Sequence, residues 1–443
     1  MLYNERMLTG VAQAEWKATL ESSYADTFVT EPGEPMTSVH AEKFDPIGWT
    51  TCSMEQICGS SSSSVAGSNI SSVKYEVASS SSFMNAIHMA IPVPALELKE
   101  MYKRDYRFKL VDFFGYKVVA NAVFGSGSTI KIQSLDPHTQ IFLFDRMTPI
   151  GDVEASLRRM GAELECKEWT TVLKPTTLYY KQQYYFSFWP GKGFPLYLVA
   201  NKMAPHIVIE YVLDMMKHVV VKRFDHALCK WVIEKKINAD LFTTRPTIDV
   251  PTIYGKFSNI SPVEMENRAL DKLNTFYILD MINCDMEDKF KPGSIAKSTL
   301  IDFNGLVQVV FWALENVTHQ DANISCNYTR DQIEHINSKS AVESVTVKSN
   351  SMDKCKNITP DLLNELSQGV LPNSGCKNGI MIWPYVPKIV PRNNGGTPAQ
   401  KLGTSIACAI ELTPESKGNR YMLRCRALVC KKMIIESGHI RIE

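Results

Sequence analysis

The chain carries nine histidines, eleven cysteines and 47 acidic side chains, and the first question is whether their spacing can do chemistry. Metal capture by local motif needs close pairs, and none is present. There is no CxxC, no HExxH, and no Cys/His cluster with zinc spacing. Cys425 and Cys430 are five apart, which suits no usual ligand pattern. His218 and His226 have Asp225 nearby, but their eight-residue gap fits no helical ligand pair, so the trio reads as structural or surface. Gly125-Ser-Gly127 resembles a phosphate loop only in its glycines. It lacks the lysine and a following helix, so a hairpin turn is expected. Gly191-Lys192-Gly193 reads as a loop between two strong strands, and no GxSxG elbow occurs. Glu97, Glu100, Asp105 and Asp112 interleave with Lys99, Lys103, Arg104, Arg107 and Lys109, the pattern of a solvated mixed-charge face. Spacing therefore assigns no catalytic, cofactor-binding or metal-binding residue. The aromatic run Tyr179–Trp189 invites sugar stacking. The favoured reading has Tyr184, Phe186 and Phe188 alternating inward as core, with Trp189 at the strand end.

The elements that would position any site are mainly strands. Period-two alternation appears in Thr129–Gln133 and Ser344–Lys348. Continuous apolar runs at Ile141–Phe144, Leu196–Ala200, Ile207–Leu213 and Val307–Leu314 read as strands buried on both faces. Residues 30–82, with the serine runs Ser60–Ser64 and Ser79–Ser82, read as a mobile, loop-rich surface excursion. Helices are expected to be few and short. The clearest starts at Ser261, with Pro262 at the first helical position and Glu264 closing a capping box. A second starts at Thr359 and stops at Gly369, and a third spans about Asp152–Met160. The absence of regular βαβ alternation disfavours a doubly wound sheet, and many short strands point to sandwiches. A length of 443 residues fits two of them in tandem.

Charge and composition exclude several classes. The formal net charge is +1, so a protein whose main work is coating nucleic acid is not expected. The first 100 residues carry net −7 and the remainder +8, which reads as an acidic, solvated N-terminal region or an arm that docks on a basic partner. The odd cysteine number suggests free buried thiols and a reducing compartment. No signal-peptide pattern opens the chain, and no apolar run is long enough to cross a bilayer. The six N-x-S/T sequons, at Asn69, Asn259, Asn316, Asn323, Asn327 and Asn357, are therefore expected to be unmodified polar loops.

Three segments, in order, resemble the major capsid proteins of nucleocytoplasmic large DNA viruses, a double jelly-roll family that includes the poxvirus scaffold relatives. The first is Ala90–Leu96 followed by Tyr106–Val119, which contains Gly115. The second, and most specific, is Phe186-Ser-Phe188-Trp189-Pro190 continuing through Pro195 to Ala200 and Glu210. The third is Thr252–Phe257, the capped helix, and Phe276–Leu279, at the place of the family's junction between its two rolls. Ile301–Trp312 and Tyr421–Gly438 are similar to later family strands. The sequence departs from the family at the junction, which lacks its usual Glu/Arg-rich run. It departs again near the end, where Asn393–Thr397 replaces a Gln-Pro-Ser-Gly loop. It resembles a divergent member.

The resemblance implies an all-β chain of two consecutive eight-stranded jelly rolls with few short helices. The first would span 1–258, including the loop-rich N-terminal region, and the second 259–443, entered through a junction helix at about 262–272 that holds Ser261, Pro262 and Glu264. Phe186, Phe188, Trp189, Pro190, Pro195, Gly115 and Trp312 would be its structural signature. The implied function is a non-enzymatic major capsid protein whose trimers form pseudo-hexagonal capsomers of an icosahedral shell. Such a chain needs no cofactor. Its partners would be itself, in trimers and then a lattice of trimers, together with minor capsid and penton proteins. Direct nucleic-acid binding is not expected, and contact with an inner membrane would be indirect. Assembly would occur in the host cytoplasm, with long Gly/Pro/Asn-rich loops such as 391–397 at the outer contacts. Two alternatives stay open. One is an external scaffold lattice of an immature virion. The other is a tandem β-sandwich carbohydrate-binding protein or glycoside hydrolase, which needs Trp189 and nearby tyrosines exposed in a cleft.

Overall fold

The computed structural model describes residues 51–64, 70–77, 81–148, 168–187, 193–199, 203–260, 273–300, 306–330, 339–349, 352–367, 369–371, 379–386, 389, 397–398, 404–413 and 416–443. Among these, β-branched and aromatic runs pair into antiparallel sheets, and every pairing joins strands within 51–259 or within 273–442. In the first set, Thr51–Ile57, Thr252–Asn259, Phe83–Val93 and Thr176–Lys181 lie side by side in that order. Facing them are Gly59–Ser64, Ile70–Glu76, Pro205–Val212, Val119–Ser126 and Ile130–Leu135. A smaller sheet of Lys230–Ile233, Val219–Asp225 and Tyr106–Leu110 extends this half. In the second set, Leu273–Asn283, Tyr421–Glu436, Leu306–Asn316 and Met381–Pro384 face Ile295–Leu300, Thr404–Ile410, Val342–Ser349 and Met352–Ile358. Sequence neighbours are repeatedly separated in the sheets, as jelly-roll connections require. The architecture is two consecutive jelly-roll sandwiches.

The sheet holding Leu306–Asn316 and Tyr421–Glu436 is buried on both faces. Val310, Trp312 and Leu314 point into the second sandwich, against Val345, Ile406 and Cys408. Val309, Phe311 and Ala313 alternate to the other face and join a core continuous with the first sandwich. The partner strand follows suit, with Cys425, Ala427 and Val429 on one side and Leu428, Cys430 and Met433 on the other. With both faces dry, Val307–Leu314 is apolar throughout except for Gln308, which is itself buried.

Three short α-helices are described: α1 (Phe114–Val118), α2 (Pro137–Met147) and α3 (Pro360–Leu366). Helix α2 covers the second face of that sheet. Asp136 caps it by accepting the Thr139 amide at 2.6 Å, and Pro137 occupies the first turn. Thr139 through Met147 are all buried, since the helix is enclosed between the two sandwiches. Phe142 meets Phe311 at 6.3 Å and Tyr328 at 5.3 Å between ring centroids. Helix α3 begins at Thr359 as expected, and Gly369 follows it with φ +79°.

Several expectations are corrected. Ile141–Phe144 is not a strand but the middle of α2, because the Asp136-Pro137 cap sets a helix and enclosure removes the polar face that would have marked it. Leu196–Leu198 is a single 3-10 turn, not a strand. Pro205–Val212 is a strand, but its burial alternates, so only one face is covered. Part of the 30–82 stretch is not loop: Thr51–Ile57, Gly59–Ser64 and Ile70–Glu76 are strands in the two facing sheets. The serine run can be a strand because it lies at a sheet edge, paired only with Ile70–Glu76, where backbone pairing suffices. Gly125–Thr129 does form a hairpin turn, with Gly127 at φ +62°. The acidic N-terminal residues 1–50, the helix expected near Asp152–Met160, the junction helix with Ser261, Pro262 and Glu264, and the loop residues 391–396 lie outside the described residues.

The two-faced sheet makes a stability prediction. Phe142→Ala removes a fully buried ring that touches both halves and should cost about 3–5 kcal/mol. Urea unfolding of the variant, followed by fluorescence and circular dichroism, measures this. A loss under about 1 kcal/mol would show that α2 does not hold the second sheet.

Candidate functional site

The site built from both sandwiches is the seam under α2. On Tyr421–Glu436, the even-numbered residues 424 to 430 face the helix, and the first two of them are arginines. Arg426, whose side chain is 1% exposed, donates from Nη2 to Asp136 Oδ2 at 2.9 Å. Its Nη1 donates to Asn283 Oδ1 at 2.7 Å and to Asp285 Oδ1, and its Nε to Thr139 Oγ1 at 3.4 Å. Arg424 donates from Nε to Glu315 Oε2 at 2.6 Å and from Nη1 to Asp285 Oδ2 at 3.2 Å. The capping carboxylate of a helix in the first half is thus ion-paired to a strand of the second.

Glu315 is fully buried and accepts the Cys326 amide at 2.7 Å. His138, in the first turn of α2, sits with Nδ1 2.7 Å from the Tyr328 hydroxyl and Nε2 3.9 Å from Glu315 Oε2. Ligand atoms of His138, Glu315 and Cys326 all lie within 4.8 Å of one another. Electrostatics follow from this arrangement. Burial works against charge on Glu315, but His138 and Arg424 override it and hold the carboxyl below its usual range. Burial likewise opposes charge on Asp136, and Arg426 with the Thr139 hydrogen bonds overrides it. Burial disfavours imidazolium at His138, yet Cys326 and Glu315 push its pKa up to about 9. The Cys326 thiol is lowered in turn: burial opposes the thiolate and His138 outweighs it.

Further clamps cross the same seam. Lys117 Nζ donates to the Ser325 carbonyl at 2.7 Å. Asn323 Nδ2 donates to the carbonyls of Met216, at 2.6 Å, and Val219, at 2.9 Å. Arg146, buried on α2, donates to the Ile380 carbonyl. Lys117 and Asn323 also line a small cavity with Lys109, Asp112 and Ile324, and their hydrogen bonds join the two halves across it.

The residues singled out in the sequence fall elsewhere. Phe186 is buried, 5.4 Å from Phe124 and stacked on Tyr184 at 5.5 Å. The segment is irregular, with a 3-10 turn at Tyr185–Ser187, not an alternating strand, and Tyr185 is buried as well. No sugar platform forms at these three rings. Phe188, Trp189 and Pro190 lie outside the described residues. Pro195 pairs with Phe83 at a sheet edge. Gly115 lies in α1 against the Tyr180 ring, and a Cβ there would come 2.1 Å from its atoms. Trp312 is fully buried in the second core. His218, His226 and Asp225 form no cluster. His218 is buried against Val212, and His226 pairs on the surface with Asp105 at 3.1 Å. Of the mixed-charge run, Lys103 bridges Glu97 and Glu100 in partial solvent, but Asp112 is buried and 3.6 Å from Lys109. Among the sequons, Asn316 and Asn327 are buried, each accepting hydrogen bonds from the Thr two residues on. Their N-x-T pattern serves as an Asx-turn rather than as an exposed loop. Spacing could not have revealed the seam, because its members are 177 and 11 residues apart; the one local signal was Asp136-Pro137 opening a helix.

No family model matches the chain, and no curated protein matches it in sequence. Solved structures do match in fold. The chain is similar to the Faustovirus major capsid protein, with TM-score 0.67 and 6% identity over 98% of this chain and 99% of that one. It is similar to the capsid protein of the PBCV-1 virus capsid, with TM-score 0.64 and 10% identity over 89% and 97%. It is also similar to the mavirus major capsid protein, with TM-score 0.55 and 11% identity over 95% and 94%. The fold is that of double jelly-roll capsid proteins across nearly the whole chain.

Two measurements probe the seam and its surroundings. Arg426→Met leaves Asp136 and Asp285 without their shared guanidinium and should cost about 3–5 kcal/mol in a denaturant titration; a neutral result would mean that the node is not coupled to folding. His218 has its pKa pushed down to about 4, by burial first, against the opposing bond to Val212. A depressed histidine stabilises the fold above its unfolded value of 6.5, and that stability is lost as pH falls toward about 4. The wild-type unfolding midpoint should therefore drop more steeply over that window than that of His218→Gln. Parallel curves would exclude His218 as a contributor.

Proposed function

We propose that this chain is the major capsid protein of an icosahedral DNA virus, and that it acts by self-association without turnover. The observation that carries the reading is the likeness to capsid proteins over both sandwiches and nearly the full length of each chain. Two sandwiches per chain and three chains about an axis make six similar bodies, a pseudo-hexagonal unit that can tile a shell. That geometry needs a constant angle between the sandwiches. The seam supports it, since α2 and its arginine–carboxylate node hold the second sandwich against the first.

In this reading the first roll ends near residue 258, and a junction helix at about 262–272, with Ser261, Pro262 and Glu264 at its start, leads into the second. Phe186, Pro195, Gly115 and Trp312 serve packing, and Phe188, Trp189 and Pro190 belong to the same segment as Phe186. Minor capsid and penton proteins are the expected heterologous partners, and the host cytoplasm is the expected place of assembly. The near-neutral charge limits long-range repulsion between identical subunits.

Light scattering coupled to size exclusion tests the proposal. The purified chain should elute at about three times its 49.9 kDa mass. A clean monomer across micromolar concentrations would overturn it. Immunogold labelling of mature and immature particles separates a permanent shell from a transient scaffold, because only a shell protein persists in the mature particle.

A further inference from the structure

We propose that His138, Glu315 and Cys326 form a zinc site that ties the first sandwich to the second. Each ligand comes from a different element: the first turn of α2, the end of Leu306–Asn316, and the turn that follows it in the chain. Their atoms lie within 4.8 Å of one another, and His138 Nε2 and Glu315 Oε2 are 3.9 Å apart. Zinc bonds of about 2.0–2.3 Å in tetrahedral geometry place ligand atoms roughly 3.2–3.8 Å apart. Closing the triad thus asks for shifts of about 1 Å or less, within rotamer adjustment.

The groups around the triad are arranged as a supporting shell. Tyr328 sits 2.7 Å from His138 Nδ1, so Nδ1–H can donate to its oxygen and leave the Nε2 lone pair toward Glu315. Cys326 is held at φ +55° while its amide donates to Glu315 Oε1. That bond leaves Glu315 Oε2, already taking the Arg424 hydrogen bond, as the oxygen nearest His138. One nitrogen, one sulfur and one oxygen ligand suit zinc better than calcium or magnesium, which prefer oxygen alone.

Zinc would replace the proton of the thiol and that of any imidazolium, because only thiolate and neutral imidazole bind it.

The test uses the full chain, stripped with a chelator and titrated with zinc against a chromophoric competitor. One zinc per chain should bind. Cys326→Ser and His138→Gln should each weaken binding at least tenfold, and Tyr328→Phe, which only positions the ring, by about tenfold. Cobalt in place of zinc should give a thiolate-to-metal charge-transfer band that Cys408→Ser, a buried thiol in the second core, retains and Cys326→Ser loses. If a variant does not fold, the cobalt spectrum of the wild-type chain decides alone. Absence of a stoichiometric site or of the sulfur band overturns the proposal, as does unchanged affinity in both ligand variants.

Discussion

The structure depends on one constraint: a β-sheet that is dry on both faces needs two covers. An antiparallel sheet in a sandwich usually hides one face and wets the other. Here Val309, Phe311 and Ala313 face away from their own sandwich, and Leu428, Cys430 and Met433 join them. Left bare, those side chains would form an exposed apolar patch too large for a soluble surface. Helix α2, inserted between two strands of the first sandwich, supplies the cover. The second jelly roll is therefore completed by the first, and the two cannot move as independent beads.

Apolar contact alone would permit sliding, since dispersion and burial are indifferent to small rotations. The charged node at the start of α2 removes that freedom. Arg426 can satisfy Asp136, Asp285 and Asn283 together only in one register of helix over strand. Burying these groups is costly, and pairing offsets the cost without large surplus. Their contribution is to orientation more than to gross stability. The loop carrying Asn323, Ser325, Cys326 and Tyr328 adds a second row of polar contacts along the same line. Together these contacts hold the two sandwiches at one angle.

A likeness of fold at 6–11% identity is physically reasonable for such a chain. Sheets accept most β-branched and aromatic residues of suitable volume, so cores can drift while strand order is kept. The seam is different in kind. Its arginines, carboxylates and histidine are set by directional contacts, so it can be particular to this sequence while the sandwiches around it are shared.

Local pattern determined the strands, the tandem arrangement and the capped helix at Thr359, because period-two alternation and capping are short-range consequences of backbone geometry. It also located Val307–Leu314 as doubly buried, although the same reading failed for the apolar runs from Ile141 and Leu196, which are helical turns, and from Ile207, which is covered on one face only. It misplaced Ile141–Phe144, because a helix enclosed on all sides loses the polar stripe that distinguishes it from a buried strand. It misread Ser60–Ser64, because an edge strand is held by its neighbour's backbone and needs little from its own side chains. The meeting of His138 with Glu315 and Cys326, and of Arg426 with Asp136, was decided by tertiary structure alone. Those partners are separated by up to 290 residues. Only the docking of α2 onto the second sandwich brings them within reach, and no local periodicity encodes that contact.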